Sequence, residues 1–328
     1  MFCLVWGSAY SQSKKKLPKK QQGFEQKDSA KLNENFLKEW DLKLKRASDL
    51  HQKGLQKAEI GDYQGALVFF DQAFGLNEFL LPNREVRAKA RYELKDYRGS
   101  IEEYDWVIKL TIGNSEAYNM RGIAKTLSDD PLGAIQDFNK SIEFSPDDSR
   151  IYFARGSVKY DLMDKRGAIL DFNEALRLDP KNGNIYLYRG MAKANLGEFI
   201  EAILDLTKAN EILPPRKELY FYRGKCKLEI NDYRGSIADL DIAINLDATI
   251  PLAFLSRGLS KLKIKDNYGA IRDFDQAILL DQKYALAYFN RGISKFLLGD
   301  KNGAYLDFSK AGELGEKKSY EMIKDYCQ

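Results

Sequence analysis

The chain has 328 residues, of which 44% are hydrophobic and 30% charged, so it carries enough apolar side chain to build a core and is not a wholly disordered polymer. It has no run of about 18 apolar residues, which excludes a multi-span helical membrane protein, and one histidine and three cysteines leave little for imidazole or metal chemistry. The net charge of +4 is concentrated: residues 12–46 hold eleven bases against five acids, while residues 47–328 hold 41 bases against 43 acids, and so neutral a body disfavours nucleic acid as a partner outside the short basic stretch.

Residues 1–11 (MFCLVWGSAYS) place an apolar run, Phe2 to Trp6, ahead of Ala9 and Ser11, small residues at the −3 and −1 positions of a cleavage before Gln12. That matches the end of a secretory signal peptide, although no basic region precedes it. The expectation is an exported protein, periplasmic or in the cell envelope; a cytoplasmic one is the alternative, and the cysteines do not decide between them. Residues 12–28 are polar and basic, contain Pro18 and Gly23, and read as a flexible linker. From Ser29 the apolar residues Leu32, Phe36, Trp40 and Leu44 recur at helical spacing, so residues 29–46 are expected to form a helix that caps the body.

From residue 47 the chain repeats. Arg121, Arg155, Arg189, Arg223, Arg257 and Arg291 are each followed by glycine, always 34 residues apart, and stepping back by the same interval reaches Arg87-Ala88 and Lys53-Gly54. Eight units therefore cover 47–318 without an insertion. Each holds two amphipathic helical patterns joined by a short turn; in 149–182, Tyr152, Gly156 and Lys159 mark the first, and Ala168, Phe172, Ala175 and Leu178 the second. Pro82 and Pro251 fall where a helix starts, and none of the eight prolines interrupts one. Residues 319–328 look like the start of a further first helix, a partial C-terminal cap in which Tyr320, Ile323 and Cys327 cover the last unit.

This unit resembles the tetratricopeptide repeat. The likeness rests on the first-helix aromatic (Tyr118, Tyr152, Tyr186, Tyr220, Phe254, Tyr288), the small residue one turn later (Gly122 through Gly292), and the second-helix alanines and aromatics such as Ala168 and Phe172. It implies an all-α, right-handed α-solenoid whose first helices line a concave face that binds peptides or helices of partner proteins. The fit is poorer in the first two units.

Three positions depart from the family pattern together: Arg before glycine, Lys one turn later (Lys159 and its equivalents), and Asp on the second helix (Asp137, Asp171, Asp205, Asp239, Asp273, Asp307). Because Arg155 and Lys159 share a helix face and Asp171 should oppose them, we expect one rung of ion pairs per repeat; an anion-binding basic stripe is the functional alternative. A second recurring glycine (Gly65, Gly99, Gly133, Gly167, Gly235, Gly269, Gly303) is expected to permit close helix approach.

No triad, Cys-x-x-Cys, His-Glu-x-x-His, EF-hand or phosphate loop is present, and His51 stands alone, a surface or groove residue. Cys226 occupies a small-residue slot and reads as a buried filler. We therefore expect no enzyme, cofactor, metal or small-molecule substrate. The resemblance implies that the residue after the first-helix aromatic faces the groove. From the fourth unit this gives Phe153, Leu187, Phe221, Leu255 and Phe289, joined one turn on by Met191, Leu259 and Ile293, a surface suited to an apolar peptide or amphipathic helix of a protein partner. Earlier units place His51, Glu85, Asn119 and Lys89 there, and the polar clamp that binds chaperone tails in relatives is absent. The function expected is a protein-interaction scaffold; the alternative is an adaptor that uses its basic N-terminal segment on a nucleic acid or membrane surface.

Overall fold

The computed structural model describes residues 19–77 and 81–326, with side chains from Glu34 onward except Asn35, Leu81 and Tyr326. The expected leader at 1–11 lies outside the described residues, as do Cys327 and the side chain of Leu32. Every regular element among the described residues is an α-helix.

The chain divides into two compact units, 1–129 and 130–328. The first contains α1 (Lys19–Glu59), α2 (Tyr63–Leu76), α3 (Leu81–Glu93), α4 (Tyr97–Leu110) and α5 (Ser115–Leu127). The second contains α6 (Pro131–Phe144), α7 (Ser149–Asp161), α8 (Lys165–Leu178), α9 (Gly183–Asn195), α10 (Phe199–Ile212), α11 (Lys217–Glu229), α12 (Tyr233–Leu246), α13 (Pro251–Lys263), α14 (Asn267–Leu280), α15 (Ala285–Leu297), α16 (Lys301–Glu313) and α17 (Lys318–Tyr326). Helix ends fall where the 34-residue register put them, and the division between the units lies inside the third repeat, at its inter-helix turn. Within 130–328 each first helix packs on its own second helix and on the second helix before it, and α7, α9, α11, α13 and α15 touch in succession.

The N-terminal expectations are corrected. Helix α1 begins at Lys19, inside the stretch read as a linker, and runs unbroken through the presumed cap into the first repeat. Ala47, His51 and Gly54 are buried against the body, but Phe36, Trp40 and Leu44 stand exposed, Trp40 to 47%. The apolar stripe is thus the same helix face continued beyond the surface it packs on.

Turns and caps explain the register. The residue two before each second helix is left-handed, with φ between +63° and +86° at Gly61, Lys95, Asp129, Met163, Gly197, Asn231, Lys265 and Gly299, which stops the first helix. The next residue is Asp in all but one repeat, and its carboxylate accepts the backbone N–H of the glycine three residues on, as Asp164 does from Gly167 at 2.9 Å. A Cβ at that glycine would collide with the same carboxylate. The recurring glycine therefore makes room for its cap and not for a neighbouring helix. The fifth repeat has Glu198 and Glu201 at the two places and forms no side-chain cap. The glycines that do allow close approach are those after the arginines: a Cβ on Gly156 would strike the Phe172 ring, and one on Gly258 the Phe274 ring.

Candidate functional site

In 130–328 the expected groove residues divide by side-chain shape. Leu187 and Leu255 are each 3% exposed and belong to the core, Leu187 beside Leu206, Leu219 and Tyr220, and Leu255 beside Phe274 and Ala287. This corrects their assignment to an open surface: a short branched side chain at that position is enclosed by the following repeat. The phenyl rings at the equivalent positions extend past it and stay half-buried. Phe153 lies 5.9 Å from Phe172 and edge-on to Tyr188 at 5.4 Å; Phe221 meets Tyr222 edge-on at 5.3 Å; Phe289 lies 5.8 Å from Phe308. Met191, Leu259 and Ile293 are also half-buried. Each of these side chains spends part of its surface on packing and keeps part open.

Three tyrosines and an asparagine were missed in the sequence. Tyr160, Tyr188 and Tyr222 come from α7, α9 and α11. Tyr188 sits edge-on to Tyr160 at 6.2 Å, the Tyr160 and Tyr222 hydroxyl oxygens are 3.5 Å apart, and Asn195 Nδ2 donates to Tyr160 Oη at 2.9 Å. Burial, then the contact with Tyr222, pushes the Tyr160 phenol up from its ordinary range. Beside it the Lys165 ammonium lies 3.5 Å from the Tyr160 ring centroid. The three successive repeats 149–250 thus present one aromatic patch with polar tips. Tyr188 and Tyr222 are 34 residues apart, which was the available signal.

The basic and acidic departures form the expected ladder. Arg155 donates from Nε and Nη2 to the two oxygens of Asp171 at 2.9 and 2.6 Å, and Lys159 Nζ lies 2.8 Å from Oδ2. The same arrangement recurs at Arg189–Asp205, Arg223–Asp239, Arg257–Asp273 and Arg291–Asp307, with every aspartate at least nine-tenths buried. In the second repeat Glu103 takes the role and meets Arg87 at 3.0 Å and Arg84 at 3.4 Å. In the second repeat and in the fourth to the eighth, each of these arginines meets a buried carboxylate, so those rungs are structural. The arginines also stack over the first-helix aromatic one turn back, as Arg155 does on Tyr152 at 5.7 Å.

In 1–129 the first-helix face is polar. His51 is buried, correcting its placement on the surface: its Nδ1 is 3.2 Å from Asn83 Oδ1, and its ring lies 5.8 Å from Phe70. Glu85 accepts from Asn114 at 2.9 Å. Among the described residues no three potential metal ligands converge, and no helix is long and apolar enough to cross a membrane.

A sequence profile described as "Tetratricopeptide repeat" matches residues 149–182. The other units share its 34-residue register and its pattern of two helices. Residues 149–182 are a tetratricopeptide repeat, and the units before and after them keep the same 34-residue register. Solved structures agree with the chain in fold at low identity. YrrB, "a TPR protein with an unusual peptide-binding site", is 18% identical with a TM-score of 0.52 over 57% of this chain and 97% of its own. The C-terminal part of a TPR repeat-containing protein from Cytophaga hutchinsonii is 16% identical with a TM-score of 0.55 over 72% and 97%. Pseudomonas aeruginosa pilF is 16% identical with a TM-score of 0.54 over 64% and 96%. No curated protein matches the chain. In this array the ladder, caps and glycines fix the frame while the half-open aromatic and aliphatic side chains of the first helices vary from repeat to repeat.

Proposed function

We propose that this TPR protein is a non-enzymatic interaction scaffold whose first helices in 130–328 hold an apolar peptide or amphipathic helix of a partner protein. The observation that carries it is the recurrence of half-open apolar side chains, Phe153, Met191, Phe221, Leu259, Phe289 and Ile293, beside the tyrosine patch on successive helices. Such surfaces take anchors from an extended or helical ligand. The peptide-binding site named for YrrB lends the same use to the fold.

Peptides selected from a random library of amphipathic 15-residue sequences provide the test. Leu259→Glu and Ile293→Glu place charge on the open side of two half-buried residues and should weaken the selected peptides at least tenfold, about 1.4 kcal/mol or more, while circular dichroism and melting change little. Undiminished binding to both folded variants would overturn the proposal.

The second reading, a membrane-surface adaptor, is favoured by one observation: Phe36, Trp40 and Leu44 are exposed on a helix that also carries Lys38 and Lys43. Co-sedimentation with phosphatidylserine vesicles that is lost in Trp40→Ser would support it; equal sedimentation of the variant would not.

A further inference from the structure

The tyrosine patch in 130–328 is ridged. Its ring planes stand steeply to one another, 89° between Phe153 and Tyr188, 76° between Tyr160 and Tyr188, and 78° between Phe221 and Tyr222. All five rings are half-buried, so each keeps an edge or part of a face open. Their placement follows from the repeat. Tyr188 and Tyr222 hold one position on α9 and α11, Phe153 and Phe221 hold the position before it on α7 and α11, and α7, α9 and α11 touch in succession.

The hydroxyls are the informative groups. Asn195 Nδ2 donates to Tyr160 Oη at 2.9 Å, so that oxygen is an acceptor. The Tyr160 and Tyr222 oxygens are 3.5 Å apart, which lets one hydroxyl donate to the other. Two hydroxyl hydrogens thus share one contact, and whichever way it runs one hydrogen is left over. Burial keeps the Tyr160 phenol protonated. The patch therefore fits a ligand with compact apolar groups and an unpaired acceptor. A helix keeps its carbonyl oxygens in its own ladder. A polyproline II segment leaves its carbonyl oxygens free and, at proline, has no N–H to satisfy. The lengths agree as well. Three residues of polyproline II advance about 9.3 Å, and packed helices lie about 8–10 Å apart, so one ring position on α9 and α11 recurs once per turn of such a ligand.

We infer that this patch binds a proline-rich segment of a partner protein in the polyproline II conformation, with its pyrrolidine rings against Tyr160, Tyr188 and Tyr222 and a backbone carbonyl oxygen accepting the spare hydroxyl hydrogen. Proline brings a stiff, extended backbone, so little conformational entropy is lost when it docks on side chains that are already half-packed. This assignment rests on the first helices of 130–328 being a partner-binding face, and it names the ligand class for repeats 149–250, leaving the aliphatic stretch at Leu259 and Ile293 to other residues of the same partner.

The five methionines allow a direct reading on the full chain. With ¹³C-methyl methionine label, Met191, one turn beyond Tyr188 on α9, reports the patch, and Met120 on α5 is a control in 1–129. The probe is acetyl-nonaproline amide, and a glycine–serine peptide of equal length is its control. Nonaproline should shift the Met191 signal saturably and leave Met120 in place, while the glycine–serine peptide should shift neither. Either hydroxyl alone can supply the spare hydrogen, so Tyr160→Phe and Tyr222→Phe should each weaken nonaproline by about twofold or less. The double variant, which keeps both rings, should weaken it about fivefold with circular dichroism unchanged. An unshifted Met191, an equal response to the glycine–serine peptide, or unchanged affinity in the double variant would overturn the proposal. Failure of the groove reading would show instead as undiminished binding of the selected amphipathic peptides to Leu259→Glu and Ile293→Glu, whatever nonaproline does at Met191.

Discussion

Arg257 donates from Nη1 to Asp241 at 2.7 Å, back across a repeat boundary, while its Nε and Nη2 hold Asp273 of its own repeat at 3.0 and 2.6 Å. One planar guanidinium thus ties two repeats together as well as two helices. Arg291 does the same with Asp275, and Arg155 and Arg189 use Asn139 and Asn173 in the equivalent place. A lysine presents no such fork. The arrangement accounts for the fixed order of arginine and lysine along the first helices.

The rung has two cations, and this changes the expected cost of breaking it. In Arg155→Met, Asp171 keeps Lys159 at 2.8 Å, so we expect a loss of about 1–3 kcal/mol. Adding Lys159→Met leaves a buried carboxylate without a partner, and the loss should rise to about 3–5 kcal/mol. Adding Asp171→Leu should then recover much of it. Denaturant melts of the three variants give the series; equal melts for the single and double variants would show Asp171 to be solvated.

The cap and its glycine should be coupled. Gly167→Ala alone should destabilise, although alanine is the better helix former, because the new Cβ meets the Asp164 carboxylate. Asp164→Ala alone should cost about 1 kcal/mol through the lost cap. In the Asp164→Ala background Gly167→Ala should change sign and stabilise by about 0.5–1 kcal/mol. A double-mutant cycle with no interaction energy would refute the coupling.

Cys226 supplies a pH dependence. The thiol is fully buried, and burial pushes its pKa up from 9.0 to about 11. Between those values the folded state holds a proton that the unfolded state releases, so its contribution is complete below pH 9 and is lost as pH rises toward 11. The loss amounts to about 2–3 kcal/mol at two pKa units. Melts of the wild type minus those of Cys226→Ala should show this fall, and at pH 8 a maleimide should label Cys226 only after unfolding. Rapid labelling of the native thiol would contradict its burial.

The sequence by itself determined the fold class, the 34-residue register and the ladder. Helix ends, the partner of Arg155 and the burial of Cys226 all follow from residue types recurring at fixed intervals, and such periodicity survives because each repeat sees nearly the same neighbours. Tertiary structure decided what depends on those neighbours. Leu187 and Phe221 occupy the same position in adjacent repeats, yet one is core and the other half-open, because enclosure depends on side-chain reach and on the helix that follows. Trp40 lies on a stripe that periodicity reads as packed, but helical period reports which face is apolar and not whether a body extends far enough to cover it. Tyr104 is one hydroxyl away from the phenylalanines of its column, and only the packed helices show that it lines an opening between α3 and α5.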